Sequence, residues 1–400
     1  MRGDSILIFG GGDNQLTLIN ASKERGYFTV VIDPGENAPG KFHADAFEII
    51  SPKDYEATCK VIEKYNVKGI ATAQMENPLL LMAQVAEKYS FIFPSVEQIK
   101  RARNKFLMKQ AFITNYVPCA KGKLFTKEQN IPEKDLEDYE FPLIIKPADA
   151  FSSRGVLKVN SFNEIKQNEN FSRSFSSDNS TLVEEFLEGK EYSIESLTYS
   201  GKTHVIQYTE KIITNYPYTV EMGHIQPAEL SEKQKAGINK IVEKAIKSLE
   251  LDNCATHTEL KLTESGPKII EIGARLGGDY ISSYLTLHST GINMDAAVVD
   301  IAMGNKPKLK KKLNRYSGIF YFHLGEGKKV VRIEDWKEIL NCKNVVHANL
   351  LIKSGEIIPA LTDSAKRSGY VILESETKES LLNSSHELKK SISSKIIYER

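Results

Sequence analysis

Residues 258–272 hold two glutamates with a spacing that could do chemistry. Two runs of alternating polar and apolar residues flank a Glu-Ser-Gly-Pro turn, and this pattern predicts a β-hairpin. If the pairing is symmetric about Ser265, Glu259 lies opposite Glu271 on one face of the hairpin. The opposite face, which can be buried, then carries Leu260, Leu262, Ile270 and Ile272.

The paired glutamates could bind a divalent metal ion. Carboxylates directly across a strand pair repel each other, and a divalent cation between Glu259 and Glu271 would reverse the sign of that effect. Mg²⁺ is usually held by one or two carboxylates together with substrate phosphate oxygens. The pair therefore predicts a magnesium site, and a solvent-facing pair in a different register is the alternative.

The residues that follow the hairpin could stabilise a phosphoryl group. Arg275 comes four residues after Glu271, and an arginine there can stabilise negative charge on a transferring phosphoryl group. Gly277 and Gly278 allow backbone N–H groups to approach an anion closely. Packing alone hardly explains a carboxylate, an arginine and a glycine pair in so short a span, so the functional interpretation is favoured.

A lysine and an acidic segment suggest nucleotide contacts further upstream. Lys146 follows the apolar residues 142–145 and adjoins a loop of small and hydroxyl residues at 148–155. Such a loop can fold over phosphates, although it is not a Walker motif because nothing matches Gly-Lys-Ser/Thr. Four acids within residues 184–191 suit the donor groups of adenine and ribose. The alternatives are an exposed lysine at a strand end and a charged surface turn.

The elements that must position these residues begin with alternating strand and helix patterns. Strands are predicted at residues 6–9, 27–33, 45–50, 68–72 and 91–93, with helices between them. This alternation predicts a doubly wound parallel sheet. The glycine run at residues 10–12 does not make a dinucleotide-binding fingerprint, because Gln15 occupies the third glycine position.

Capping signals place the helices of the middle region. Ser95 and Gln98 form a capping box for a helix to about Phe112, and Ser231 with Gln234 caps a second one. The basic residues 306–315 are predicted to be a solvated linker, with a phosphate-binding patch as the alternative. The remainder is predicted to hold strands near 318–323, 345–352 and 369–373, and a helix from residue 378.

Composition narrows the functional class. The chain has 400 residues, with 53 Lys and Arg against 52 Asp and Glu, and a formal charge of +1 at pH 7. A near-neutral total argues against a nucleic-acid partner and gives no reason to expect a membrane partner. No apolar run approaches the ~20 residues of a membrane span. The four cysteines are far apart and the first residues do not make a signal peptide, so a reduced, cytoplasmic protein is expected.

These motifs, in this order, resemble the ATP-grasp superfamily of carboxylate–amine ligases. The resemblance is closest to the branch of biotin carboxylase, the carbamoyl-phosphate synthetase halves, the purine-pathway carboxylases and the L-amino acid ligases. The Glu-x-x-x-Arg signature from Glu271 to Arg275 is its most specific part, and the Gly-Gly-Asp that follows is most similar to the amino acid ligases.

The resemblance implies a fold of mixed α/β and α+β class. A Rossmann-like, pre-ATP-grasp domain with a parallel sheet is expected at residues 1–94. The nucleotide-binding region is expected at 95–305, with a central lid subdomain at about 115–188. A β-rich C-terminal segment at 306–400 would complete the ATP-grasp domain.

The resemblance also implies individual roles. Expected nucleotide contacts are Lys105 and Lys146 on the phosphates, Ser152, Ser153, Gly155 and Val156 in the loop over them, Glu184, Glu185 and Leu187 around adenine, and Glu191 on ribose. Glu259 and Glu271 match the Mg²⁺ ligands, with Mn²⁺ as an alternative ion. Arg275 and Lys146 match the catalytic cations. Gly273 stands where many relatives have a further ligand, Asn, so the number of ions stays open.

Substrate contacts are expected at five positions. His224 lies in a Gly-His-x-x-Pro segment that related ligases place near the substrate, although a lone histidine is more often structural. Glu76 could hold a substrate amino group, and Arg275, Gly277 and Gly278 would approach the reacting groups.

The activity that the resemblance implies is ATP-dependent joining of a small carboxylate, an amino acid, to an amine. The reaction would pass through an acyl phosphate and release ADP and phosphate. The partners would be small molecules, and a homodimer is a further expectation. The alternatives are a purine- or bicarbonate-type carboxylating ligase and an ATP-binding module without catalysis.

Overall fold

The protein is described by a computed structural model that covers residues 3–127, 130–150, 154–215 and 219–399. Four β-sheets organise this part of the chain. Two of them, an eight-stranded sheet and the four-stranded sheet formed by residues 122–185, enclose the region where the predicted site residues lie.

The first sheet is parallel, as the alternating pattern predicted. Its strands are β1 (Ser5–Phe9), β2 (Phe28–Asp33), β3 (Ala46–Ile49) and β4 (Val67–Ala71), in the order β3-β2-β1-β4. The helices between and after them are α1 (Leu16–Glu24), α2 (Tyr55–Tyr65) and α3 (Leu79–Tyr89). The central strand β1 is buried along its whole length, as expected of a parallel sheet with both faces covered. The predicted strand at 91–93 is absent, because residues 92 and 93 form a bend and the next helix begins at Val96.

The helix predicted from Ser95 to about Phe112 is in fact two helices. The Ser95–Gln98 capping box is present and opens α4 (Val96–Arg103), but Asn104 is extended and begins α5 (Lys105–Thr114). The Asn104 side chain accepts hydrogen bonds from the backbone N–H groups of Phe106 and Leu107, at 3.0 Å each. This break places Lys105 at the start of a helix.

A four-stranded antiparallel sheet, which we call the lid sheet, covers the site from one side. It comprises β5 (Gly122–Phe125), β6 (Leu143–Pro147), β7 (Leu157–Val159) and β8 (Thr181–Glu185), in the order β5-β8-β6-β7. Helix α6 (Phe162–Arg173) packs on it and is capped by Ser161, whose side chain accepts from the N–H of Glu164.

The eight-stranded antiparallel sheet carries most of the site. Its strands are β9 (Lys190–Tyr199), β10 (Lys202–Ile213), β11 (Glu221–Gln226), β12 (Cys254–Thr263), β13 (Gly266–Gly273), β14 (Tyr316–Phe322), β16 (Val345–Leu350) and β17 (Gly369–Ser375). The order is β13-β12-β9-β10-β11-β14-β17-β16, so strands from the last hundred residues continue the same sheet. A separate ribbon pairs β15 (Val330–Ile333) with β18 (Ile396–Tyr398).

The remaining helices lie against this sheet or connect its strands. They are α7 (Glu232–Ser248), α8 (Thr286–Thr290), α9 (Met294–Ala302) and α10 (Lys378–Ser394), with a π-helical turn at Ile281–Leu285. Short 3-10 turns lie at Asp13–Gln15, Pro39–Phe42, Glu133–Leu136, Trp336–Asn341 and Ser364–Lys366. The predicted capping box of α7 is confirmed, because Ser231 and Gln234 each bond the other's backbone.

The hairpin of β12 and β13 has the predicted central pair, Glu259 opposite Glu271. A bulge follows Glu259, so Leu260 pairs with Ile269 rather than with Ile270. Ile269 is therefore fully buried and Ile270 only partly so, whereas the symmetric register predicted burial of Ile270. The bulge leaves both carboxylates on the open face of the sheet.

One hydrophobic core joins the first sheet to the hairpin. Leu7 and Met82 from the first ninety residues belong to the same buried cluster as Phe112, Leu260 and Ile272. The hairpin is thereby fixed to the N-terminal part of the chain through α3 to α5. Among the described residues, no helix has the length and apolar character to cross a membrane.

Candidate functional site

Two clefts meet at the paired glutamates of the hairpin. The first, of about 1030 Å³, lies between the lid sheet and the eight-stranded sheet. The second, of about 1180 Å³, is lined by residues of the N-terminal part, of α4 and of the last hundred residues. The residues that line both clefts are Lys105, Glu221, Glu259 and Glu271. A molecule in either cleft therefore reaches the same two carboxylates.

Lys105 connects the hairpin to the base of the lid sheet. Its Nζ lies 3.0 Å from Glu271 Oε2 and donates to the carbonyl of Ala150 at 2.7 Å. Its backbone N–H donates to the carbonyl of Ala148 at 2.8 Å. Burial opposes the charge of Lys105, but the carboxylates of Glu271, Glu76 and Glu259 together outweigh it and raise the pKa of Lys105. The predicted phosphate lysine is thus charged and stands beside a predicted metal ligand.

Lys211 is the centre of an acidic cluster, and sequence reasoning missed it. Its Nζ lies 2.7 Å from Glu191, 2.7 Å from Glu221 and 2.9 Å from Glu259. Burial opposes its charge, yet the three carboxylates raise the pKa of Lys211 well above its usual range. Burial alone would raise the pKa of Glu259, but Lys211 and His257 hold it well below its ordinary value.

A second pair of lysines lies under the lid sheet. Lys146 binds Glu184 through Oε1, and Lys109 Nζ lies 3.0 Å from the other oxygen, Oε2. Burial and the neighbouring lysine charges lower the pKa of Lys146, although Glu184 opposes them. Glu184, where burial acts in the opposite direction, has its pKa lowered by both lysines. Glu184 therefore faces ammonium groups, and sequence reasoning missed Lys109.

The other expected nucleotide contacts fall mostly on the first cleft. Residues of this group that line it, besides the two predicted lysines, are Val156, Glu184, Glu185, Leu187 and Glu191. Gly155 has a φ of +72°, and a Cβ there would come within 2.8 Å of the Phe175 ring, so only glycine fits this turn. Ser152 and Ser153 lie outside the described residues.

Arg275 stands in the second cleft in contact with Glu76. Its Nε donates to Glu76 Oε2 at 2.9 Å and its Nη1 donates to the Leu276 carbonyl at 3.0 Å. Arg103 approaches the other oxygen of Glu76 at 3.8 Å. The carboxylate of Glu76, expected to hold a substrate amino group, thus also orients the predicted catalytic arginine.

His224 belongs to a buried polar wall of the second cleft. Its Nε2 lies 3.3 Å from Asp279 Oδ2, and Arg367 donates to both oxygens of Asp279, at 2.7 and 3.1 Å. Burial would raise the pKa of Asp279, but these two partners lower it far below its ordinary value. Glu221, His224 and Asp279 offer ligand atoms within 4.8 Å of one another. Lys211 compensates Glu221 and Arg367 compensates Asp279, as Lys211 and Lys105 compensate the two hairpin glutamates.

A second histidine, His257, stands next to the hairpin glutamates and was also missed. Its Nδ1 lies 2.5 Å from Glu195 Oε1, and its Nε2 lies 3.6 Å from Glu259 Oε1. Burial opposes its charge, but Glu195 and Glu259 raise the pKa of His257 to about 9. The signal was present, since His257 comes two residues before Glu259 and so shares its strand face.

The two glycines after Arg275 differ in their surroundings. Gly278 lines the second cleft, and nothing lies within 4 Å of the position that a Cβ would take. A Cβ on Gly277 would lie 2.6 Å from His257 Nδ1 and 2.7 Å from Glu195 Oε2. Gly278 is thus open to a ligand, as expected, whereas Gly277 is confined by buried side chains.

Comparison with known families agrees with this geometry. Residues 139–283 match the family described as ATP-grasp domain, and residues 321–396 match the L-amino acid ligase C-terminal domain 2. The chain contains an ATP-grasp domain. The resemblance and the mixed α/β fold expected from the sequence are thereby confirmed.

Individual relatives of the chain include proteins named as ligases and synthases. It is 31% identical to the alanine–anticapsin ligase of Bacillus subtilis (strain 168) over 248 residues, which cover 56% of this chain and 51% of that protein. The chain therefore aligns with about half the length of that relative. It is 22% identical to dapdiamide A synthase of Enterobacter agglomerans, over 92% of this chain and 91% of that one. The crystal structure of an L-amino acid ligase from Bacillus licheniformis matches with a TM-score of 0.84 at 23% identity, over 100% of both chains.

Proposed function

We propose that this protein is a ligase that joins a small carboxylate, an amino acid, to an amine at the expense of ATP. The observation that carries the proposal is the junction of the two clefts at Glu259 and Glu271. One cleft can hold a nucleotide and the other its acceptor, with their reacting ends at the same carboxylate pair. The name of the alanine–anticapsin ligase supports an amino acid as a substrate.

The first cleft has the chemistry that a nucleotide needs. Lys105 and Lys146 line it and would provide cations for the phosphates. It is also lined by apolar side chains that can cover a purine ring, Ile144, Val156, Phe186, Leu187 and Ile270. We propose that the adenine amine and the ribose hydroxyls donate hydrogen bonds to the acids between residues 184 and 191, as the sequence suggested.

The hairpin carboxylates fit a divalent cation. Lys211 and His257 both approach Oε1 of Glu259, and Lys105 approaches Oε2 of Glu271, so each carboxylate has a second oxygen outside these contacts. Carboxylate oxygens are the ligands that Mg²⁺ and Mn²⁺ prefer. A bound Mg²⁺ would supply neutralisation of phosphate charge at the junction of the clefts.

The chain's own residues would act by positioning and by compensating charge. The substrate carboxylate would attack the γ-phosphate, forming an acyl phosphate and releasing ADP, and the amine would then displace phosphate to form the amide. Arg275, oriented by Glu76, is placed to stabilise charge on the group being transferred. Lys105 and Lys146 would hold the nucleotide phosphates in line with the attacking oxygen.

The experiment that tests this function measures ADP release with Mg-ATP against pairs of amino acids. Turnover should require a carboxylate and an amine together, and Glu271→Ala should reduce it by about 10²-fold or more. The matched control is Glu264→Ala, an exposed glutamate at the turn of the same hairpin, which should leave turnover unchanged.

Three other outcomes would refute parts of the proposal. Full turnover in Glu271→Ala would refute the site. Turnover that depends on bicarbonate would indicate a carboxylating ligase instead. ATP binding without turnover across the amino acid panel would indicate a binding module.

A further inference from the structure

A continuous row of polar contacts connects the hairpin to the loop after Arg275. His257 stands between Glu259, at 3.6 Å from its Nε2, and Glu195, at 2.5 Å from its Nδ1. Ser282 donates its hydroxyl to the other oxygen of Glu195 and accepts the backbone N–H of Gly277 at 2.6 Å. The row therefore begins at a carboxylate shared by both clefts and ends on a backbone amide beside the second.

These groups are buried in a way that packing does not require. Glu195 and Ser282 are 0% exposed and His257 is 7% exposed. Burying a carboxylate costs several kcal/mol unless its oxygens are paired with good geometry. Glu195 satisfies one oxygen with His257 and the other with Ser282. Glu195 therefore fixes the positions of His257 and Ser282.

The strand register explains how His257 reaches Glu259. Glu195 on β9, His257 on β12 and Gly273 on β13 are side by side across the sheet. A Cβ on Gly273 would lie 3.5 Å from the side chain of Arg275. Glu259 is two residues along β12 on the same face. The imidazole is therefore fixed on one side by Glu195 and directed on the other side at Glu259.

The loop after Arg275 lies very close to His257 and Glu195 at Gly277. A Cβ at this position would lie 2.6 Å from His257 Nδ1 and 2.7 Å from Glu195 Oε2. Its φ is not in the left-handed region, so the glycine is needed for close approach rather than for backbone freedom. The loop and the His257–Glu195 pair can be in contact only because the side chain is missing.

We propose that His257, held by Glu195, is a positioning residue that fixes the Glu259 carboxylate for a divalent cation and ties it to the loop at Gly277. The inference rests on the proposed function, in which Glu259 and Glu271 hold the ion. His257 and Lys211 share one oxygen, Oε1, and so keep the second oxygen turned towards the ion. Partners of this kind orient metal ligands, and their loss typically reduces metal affinity by about 10- to 100-fold.

Two substitutions separate positioning from a general structural role. His257→Asn retains a donor near the Nδ1 position, facing Glu195, but loses the donor near Glu259. His257→Gln retains a donor near the Nε2 position, facing Glu259. The matched control is His288→Gln, in a His–Glu pair with Glu374 at 2.6 Å elsewhere in the fold.

The measurement is Mn²⁺ binding, followed by electron paramagnetic resonance on protein saturated with ADP, beside ADP binding without metal. His257→Asn should weaken Mn²⁺ binding by about 10- to 100-fold and leave metal-free ADP binding within about twofold. His257→Gln keeps the donor towards Glu259 but loses the contact with Glu195, so it should weaken Mn²⁺ binding less than His257→Asn does. The control should stay close to the unaltered protein. An unchanged Mn²⁺ affinity in His257→Asn overturns the inference, and so does an equal loss of metal-free ADP binding.

Two further outcomes are also decisive. If the unaltered protein with ADP binds no Mn²⁺, the proposed metal site fails, and with it the proposed function. If His257→Asn does not fold, Glu195→Gln takes its place, since the amide keeps the shape but removes the charge that holds His257. A folded Glu195→Gln variant with unchanged Mn²⁺ affinity then overturns the inference.

Discussion

Replacement of Lys211 by methionine tests the charge balance at the junction of the clefts. The side chain of Lys211 is 3% exposed and is the shared cation of Glu191, Glu221 and Glu259. Methionine keeps most of the length and apolar surface of the lysine but removes the charge. Three carboxylates would then face one another without it, so Lys211→Met should destabilise the protein at neutral pH.

The size of the effect follows from burial. Removing one partner of a buried ion pair costs about 3–5 kcal/mol. The three carboxylate side chains are 17%, 28% and 22% exposed, so water screens part of their repulsion and the lower end applies. Unfolding entropy is about 2.1 cal/mol/K per residue, or about 0.8 kcal/mol/K for 400 residues. A loss of about 3 kcal/mol thus lowers the midpoint of a single unfolding transition by about 4 °C.

Two conditions should reduce this loss. Lys211 depresses the pKa of Glu259, and a depressed carboxyl pKa contributes stability that is complete above its ordinary value of 4.5 and is lost as the pH falls below that value. The difference between variant and unaltered protein should therefore shrink as the pH is lowered towards 4. At pH 7.5, Mg²⁺ should raise the midpoint of Lys211→Met more than that of the unaltered protein, because a cation replaces the missing charge.

The assay is thermal unfolding at pH 7.5 and pH 4, with and without Mg²⁺. The matched control is Lys190→Met in the same sheet, whose side chain is 52% exposed and pairs with Glu210, so it should cost about 1 kcal/mol or less. A Lys211→Met midpoint equal to that of the control, or an undiminished loss at pH 4, would refute the reasoning.

Three further predictions concern other parts of the site and its support. Burial raises the pKa of Asp295 to about 6, against about 4 when unfolded, so Asp295→Asn should stabilise by up to about 3 kcal/mol at pH 7.5 but not at pH 4; equal midpoint changes at both pH values would contradict this. Gly277→Ala should cost about 1–3 kcal/mol in denaturant unfolding because its Cβ meets His257, whereas Gly278→Ala, with open space, should cost less than about 1 kcal/mol; similar costs would be inconsistent with the packing. Arg367→Lys should loosen Asp279, since lysine cannot make the two bonds that arginine makes; hydrogen exchange of residues 276–285 should quicken, and an unchanged rate would show that Arg367 does not hold this loop.

The hairpin and its chemistry could be predicted because their determinants are local. Alternation around a turn fixes which residues face each other, and the Glu259–Glu271 pair follows from counting. The bulge after Glu259 could not be counted, since it depends on how the strand packs against β9 and the core. It moved Ile269, rather than Ile270, into the buried face.

The break before Lys105 was not predictable from local patterns. Residues 96–112 have a continuous helical pattern, and Asn104 interrupts it only by capping a second helix. What fixes the break is tertiary, namely the bond from the Lys105 N–H to the carbonyl of Ala148. Glu195 and Lys211 were missed for the same reason, because their partners are brought together only by the order of strands in the sheet.

That break also makes Lys105 a link between the lid sheet and the hairpin. Its backbone and ammonium group both bond carbonyls at the end of β6 in the lid sheet, while the same ammonium compensates Glu271 on the hairpin. Any displacement of the lid sheet at residues 148–150 must pull on this side chain. Opening of the lid would then withdraw a positive charge from the hairpin, and closing would return it. The positive charge beside the hairpin glutamates would then depend on whether the first cleft is open or closed.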